Sequence, residues 1–312
     1  MIFPIDRLQF LPNGDLIAFE FFNKTKELKN SNFISRKVEL LNKSNFVNHI
    51  YNVGYSSDSP NFLKVVSIIP DTRNPVLESR YVNYADFCKW FNQINSSNTS
   101  LSSKGLGTAT TNVGDPFVQS LLTSIYRDTE FSQTVFSDDD SGIGLVKNTL
   151  NGTFTYGFDF DLFEETNHII IEFLKRENSF VTNLTAHPSR YPKNKQKFIS
   201  LWKAANKIYN GNSILLFVNY SDSVDESITV LEIKDFDTNI QSDKMVLSDI
   251  GYKFESQNEF RLWLKIMNTN AELALTQLRQ LPKQVRNESW WNKFYNDNTH
   301  KKYKRILGSI YS

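Results

Sequence analysis

Residues 157–177, GFDFDLFEETNHIIIEFLKRE, set Asp159 and Asp161 among aromatic residues, then place Glu172 and Lys175 beyond a polar tetrapeptide. Read as a hairpin with EETN, residues 164–167, at the turn, the stretch aligns Asp159 across from Glu172. A register two residues away pairs Asp161 with Glu172 instead. Side chains alternate between faces, so Asp159, Asp161, Ile170 and Glu172 share one face. Directly opposite Cβ atoms lie about 4.5–5.5 Å apart. Carboxylates that close repel unless a proton or cation sits between them, and they are the oxygen ligands that Mg²⁺ accepts. A bound divalent ion polarises a phosphate and acidifies an attacking water, and a nearby lysine positions that water or offsets charge. On a regular strand Lys175 points away from Glu172, so it reaches the site only through a β-bulge. The competing reading is a half-exposed hairpin with solvated carboxylates, although aspartate suits strands poorly.

An aspartate on one strand followed by Glu-x-Lys on the next resembles the PD-(D/E)XK nucleases. The order of elements across roughly residues 116–220 is also similar to that family's core. The resemblance implies a restriction-endonuclease-like α/β core and hydrolysis of DNA phosphodiester bonds with Mg²⁺ or Mn²⁺. Asp159 or Asp161 matches the first acid and Glu172 the second, both as metal ligands, with Lys175 assisting the water. The sequence departs from the pattern in two places: no proline precedes either aspartate, and EFLK puts Leu174 in the lysine slot.

Two basic segments could hold nucleic acid. TAHPSRYPKNKQK supplies His187, Arg190, Lys193, Lys195 and Lys197 ahead of a helix, and helix starts favour anions. Residues 283–305 carry seven basic against two acidic residues, including Lys301, Lys302, Lys304 and Arg305, interleaved with aromatics. A solvated connector and a packed terminal helix are the plainer alternatives. Glu232-Ile-Lys234, with Asp222 or Asp225 upstream, is a second placement of the acid-acid-lysine pattern. SDDDSG, residues 137–142, lacks the ligand spacing of a calcium loop and reads as a turn. No glycine-rich phosphate loop or serine nucleophile elbow is present.

The elements that must position these residues follow from periodicity. Residues 1–94 read as an α+β unit: a hairpin in RLQFLPNGDLIAFEFF, a strand in FLKVVSIIP and a helix in NYADFCKWFNQI. Residues 95–115, almost wholly Ser, Thr, Asn and Gly, read as a linker. Residues 116–240 form the nuclease-like core. Its helix DPFVQSLLTSIY starts with a capping Asp and a Pro. Three strands follow in GIGLVKNT, TFTYGFDFDLF and HIIIEFLK, then the amphipathic helix NKQKFISLWKAANKIY and the strands SILLFVNY and SITVLEIKDF. Residues 241–312 read as a helical extension, with NEFRLWLKIM and AELALTQLRQL at helical period. The expected fold is α/β, a mixed central sheet flanked by helices. No internal repeat is legible.

The totals narrow the classes. A chain of 312 residues is ample for a sizeable core. Its net charge of +1 gives no global argument for a nucleic-acid partner. One cysteine, Cys88, excludes an internal disulfide and a thiolate-rich zinc site. No apolar run approaches the roughly 18 residues of a membrane span, and the start lacks a secretory leader, so a cytoplasmic protein is expected. DNA is the expected partner, with a homodimer possible; a non-catalytic nucleic-acid or protein adaptor is the alternative.

Overall fold

The structure is a computed structural model describing residues 1–24, 31–56, 58, 61–70, 75–96, 104–105, 115–134, 142–151, 154–176, 182–184, 186, 188, 195–222, 227–238 and 247–286. It opens with β1 (Ile2–Phe10) and β2 (Leu16–Asn23), an antiparallel hairpin. Gly14 turns it at φ +86°, in the left-handed region that a side chain resists. α1 (Ser31–Ser44) then crosses over to β3 (His49–Tyr55), which pairs parallel with β2. β4 (Leu63–Ile69), β5 (Val76–Val82) and α2 (Tyr84–Ser96) complete the first half. Beyond the two-residue β6 (Lys104–Gly105) comes α3 (Pro116–Tyr126). Asp115 caps α3 as its sequence implies, accepting the Phe117 and Val118 N–H groups.

GIGLVKNT is not a strand. It forms α4 (Ile143–Thr149), because Leu145, Val146 and Thr149 are buried at helical spacing and pack toward Phe19, Phe21, Phe87 and Phe91. The strand expected there is supplied from the far end of the chain. β7 (Phe154–Thr155) and β8 (Phe158–Glu164) follow, and β8 pairs antiparallel with β1. Gly157 permits this junction, since a Cβ there would sit 2.1 Å from the Arg7 guanidinium carbon.

β9 (Ile169–Lys175) leads through α5 (Lys195–Lys207) to β10 (Ile214–Tyr220), parallel to β9. β11 (Ile228–Phe236) and β12 (Leu247–Phe254) continue antiparallel. α6 (Gln257–Thr269), α7 (Ala271–Gln280) and β13 (Lys283–Arg286) end the described chain. Both helices expected beyond residue 241 are present, and β12 and β13 join them as strands of the sheet.

The fold is thus α/β with a large mixed sheet. Eleven strands run in the order β13-β12-β11-β10-β9-β8-β1-β2-β3-β4-β5. The segments on either side of residues 95–115 therefore meet as hydrogen-bonded neighbours at β1 and β8. One apolar cluster runs through both, with Phe3 against Phe163 and Phe46 against Phe163 at the seam. Two faces of the β9–β10 pair matter for chemistry. Phe173 and Tyr220 face Phe260 of α6 and Phe117 of α3, while Phe217 meets Phe198 of α5 on the other face, which Glu172 shares. No described helix is long and apolar enough to cross a membrane.

Phe163 is fully buried where the halves meet. Phe163→Ala is expected to lower unfolding free energy by about 3–5 kcal/mol. Denaturant unfolding followed by circular dichroism and tryptophan fluorescence should show one coincident transition; two separated transitions would contradict a shared core.

Candidate active site

The β8–β9 ladder runs Glu164↔Ile169, Phe163↔Ile170 and Leu162↔Ile171. This is the register two residues from the centred turn, so Asp161 is next in line opposite Glu172. The shift has a local cause. Glu164 ends β8 and its carboxylate accepts the N–H groups of Thr166 and Asn167 at 3.1 and 2.7 Å. The loop then occupies residues 165–168 and closes with His168 at φ +54°.

The paired ladder stops at Leu162 and Ile171 because the next backbone donor is diverted. Phe173 N–H donates to Asp161 Oδ2 at 2.7 Å. The charge-assisted bond fixes the Asp161 carboxylate beside Glu172.

The cation comes from α5. Lys197 Nζ lies 2.7 Å from Glu172 Oε1, 3.1 Å from Asp159 Oδ1 and 3.8 Å from Asp161 Oδ1. Asp161, Glu172 and Lys197 are buried, whereas the Asp159 side chain is 25 % exposed and opens the group to solvent. Asp159, Lys197, Gln196, Ser200 and residues 155–158 line a small cleft of about 20 Å³, room for roughly one water. Arg7 backs it, donating to Thr155 Oγ1 and Gln9 Oε1. Burial lowers the Arg7 pKa to about 9, with Asp159 working in the opposite direction, so the guanidinium stays charged at neutral pH.

Three carboxylates surround one ammonium, the Arg7 guanidinium also acts on Asp159, and proton affinities follow from burial and from these charges. Burial, then Asp161 and Asp159, push Glu172 well above the carboxylate range, against the pull of Lys197. Burial works against the charge on Lys197, but Asp159, Asp161 and Glu172 outweigh it and raise its pKa well above that of a free lysine. Across the 2.7 Å Lys197–Glu172 contact, Lys197 stays charged and Glu172 is a weaker acid than in water. Glu172 Oε2 is buried without a hydrogen-bond partner.

Lys175 is not part of this group. Residues Ile169 to Lys175 pair with Ile214 to Tyr220 in unbroken parallel register, so β9 has no bulge against β10 to re-aim the side chain. Lys175 instead bridges Asp115, at 2.7 Å, and Asp222, holding the α3 N-terminus to the opposite face of the sheet. The alternative pattern at Glu232 is likewise a structural network: Lys234, Arg279 and the Tyr252 hydroxyl all bind the Glu232 carboxylate. Asp222 is engaged with Lys175, and Asp225 lies outside the described residues.

Of the expected nucleic-acid contacts, Lys195 is buried at the start of α5 and Lys197 belongs to the carboxylate group. His187, Arg190, Lys193, Lys301, Lys302, Lys304 and Arg305 lie outside the described residues, as does SDDDSG apart from Gly142. The part played by Lys197 had a signal in the sequence. It precedes Leu201, Ala204 and Ile208 by four, seven and eleven residues, which places it on the buried stripe of α5. Arg7, Gln196 and Ser200 had none, because nothing local links β1 or the middle of α5 to the hairpin.

Among the described residues, no three His, Cys, Asp or Glu side chains are arranged to hold a metal ion by themselves. The Lys197 ammonium occupies the space between the three carboxylates. No known protein family, curated protein or solved structure matches the chain.

Raised proton affinity has a sign in stability. The contribution of Glu172 is complete below pH 4.5, its ordinary value, and is lost as pH rises through the folded-state pKa. That of Lys197 persists to pH 10.5 and is lost only beyond it. Unfolding free energy of the wild type is expected to fall from about pH 5 upward relative to Glu172→Gln. Parallel profiles for the two proteins would contradict the shift.

Proposed function

We propose that the chain is a divalent-metal-dependent nuclease acting on DNA phosphodiester bonds, with the cleft beside Asp159 as its reacting site. The observation that supports this reading is the convergence of Asp161 and Glu172, on adjacent strands, with Lys197 from the following helix. The arrangement is similar to the acid-acid-lysine pattern of the PD-(D/E)XK nucleases, with the lysine delivered by α5 instead of β9. The order of α3, the β8–β9 hairpin, α5 and a strand parallel to β9 is also compatible with that family's core.

A Mg²⁺ or Mn²⁺ ion would have to displace the Lys197 ammonium from between the carboxylates, since the described side chains form no ready metal cage. Mg²⁺ needs only one or two carboxylates, with water and substrate phosphate completing its octahedron. Glu172 Oε2 is an unpaired buried acceptor, and Asp159 stands at the solvent side of the same group. Asp159, Asp161 and Glu172 would hold the ion, which would polarise the phosphate and acidify an attacking water.

The remaining roles fall to the protein's own groups. Glu172 would ligate as the carboxylate, any proton it carries passing to water. Lys197, displaced from part of its contact with the carboxylates, would donate toward the phosphate or the attacking water and offset developing negative charge. Asp161, fixed by the Phe173 N–H, keeps its carboxylate in place throughout. Arg7 adds a fixed positive charge behind the cleft, favourable to an anionic backbone.

A second reading draws on the deep burial of Glu172 and Lys197: the group is an internal ion pair in a non-catalytic nucleic-acid or protein adaptor. Incubation with supercoiled plasmid, linear DNA and RNA, with and without Mg²⁺ or Mn²⁺, separates the two. Metal-dependent cutting of DNA is expected. Glu172→Gln and Lys197→Met should each slow it by about 100-fold or more, while Lys175→Met should retain it. Binding at low salt without cutting would favour the adaptor.

A further inference from the structure

The sheet reads the same outward from the β1–β8 seam. On one side come β1, β2, α1, β3, β4, β5 and α2; on the other, β8, β9, α5, β10, β11, β12 and α6. In both, an antiparallel hairpin is followed by a helix, a strand parallel to the hairpin's second strand, and two antiparallel strands.

The likeness extends to single side chains. The β1–β2 ladder stops at Arg7↔Phe19, one residue short of Asp6 and Glu20, as the β8–β9 ladder stops one residue short of Asp161 and Glu172. Phe21 N–H donates to Asp6 Oδ2 at 2.9 Å; Phe173 N–H donates to Asp161 Oδ2 at 2.7 Å. Lys37 of α1 lies 3.7 Å from Asp6 Oδ1 and is ion-paired with Glu20; Lys197 of α5 lies 3.8 Å from Asp161 Oδ1 and is ion-paired with Glu172. Both glutamates precede a phenylalanine.

We infer that the chain is built from two copies of one β-β-α-β-β-β unit, and that Asp6, Glu20 and Lys37 are the counterpart of Asp161, Glu172 and Lys197, kept as a closed ion-pair clamp instead of a reacting site. One difference assigns the roles. Pro4 stands two residues before Asp6, where Asp159 stands two before Asp161, so the first group lacks a third carboxylate. The two trios are equally buried, Lys37, Glu20 and Asp6 at 0, 1 and 4 % exposed and Lys197, Glu172 and Asp161 at 7, 3 and 0 %, and it is Asp159, at 25 %, that opens the second group to solvent. Asp159 gives the second group an acid that a cation from solvent can reach, whereas proline stands at the matching position of the first. The geometric duplication stands without the nuclease reading; only the statement that the second group takes a cation rests on it.

Thermal unfolding of paired variants tests the assignment without any activity assay. Glu20→Gln leaves the buried Lys37 with one carboxylate of its trio and is expected to lower Tm by roughly 5–10 °C. Glu172→Gln removes one of three mutually repelling acids and should leave Tm within about 2 °C. Asp6→Asn and Asp161→Asn, which keep an acceptor for the Phe21 and Phe173 N–H groups, serve if Glu20→Gln does not fold and should show the same order. Adding Mn²⁺ should raise Tm of the wild type and of Asp6→Asn, but not of Asp161→Asn. Equal losses in the two halves, or a Mn²⁺ shift abolished by Asp6→Asn, would overturn the division of roles. A wild type unmoved by Mn²⁺ would count against the metal reading of the second group, and the order of Tm losses would still decide whether the first is a clamp.

Discussion

An ammonium buried between two strands and a helix is the constraint on which the second half of this molecule depends. Removing a lysine from water is costly unless opposite charge and hydrogen-bonding groups surround it, and breaking such a pair leaves the partner charge stranded. Lys197 meets the requirement only because β8 and β9 stop pairing at Leu162 and Ile171, which lets Asp161 turn toward Phe173 N–H while Glu172 faces α5. Register, helix placement and proton affinity are therefore coupled. A hairpin slipped by two residues would set Asp159 opposite Glu172 and leave Asp161 away from the Phe173 donor.

The same device in the first half shows what it does when it is only structural. Around Lys37 the side chains are buried, and Pro4 stands where the second half has Asp159. Around Lys197 an added aspartate unbalances the charge and exposes one carboxylate to a cleft. Excess like charge is tolerated here because the surrounding sheet and its apolar cluster carry the stability. Such a local conflict, held by a well-packed frame, is the kind that reacting sites commonly contain.

Much of the frame was legible from sequence, for reasons particular to each element. Asp115 and Pro116 announced α3, the Gly14 turn announced the first hairpin, and the stripe on α5 gave its buried face. The carboxylate hairpin was readable to within one alternative register; the local turn at Glu164 and His168 selected between the two. GIGLVKNT reads as a strand because its three aliphatic residues fit a short strand as well as a helix, and only its packing toward Phe21 and Phe91 decides. Lys175 followed from motif spacing, yet regular β geometry sends it to Asp115 and Asp222. The duplication was hidden for a physical reason: it resides in a few paired side chains and a strand order, while the hairpin loops differ in length.

The proposed chemistry turns on whether the Asp159–Asp161–Glu172–Lys197 group takes up a divalent cation with loss of a proton. Calorimetric titration with Mn²⁺ at neutral pH, repeated in buffers of different ionisation enthalpy, reads that exchange directly. One ion bound per chain is expected, with release of about one proton because metal ligands must be deprotonated to bind, and both signals should vanish in Glu172→Gln. Absence of binding, or binding with no proton released, would contradict it.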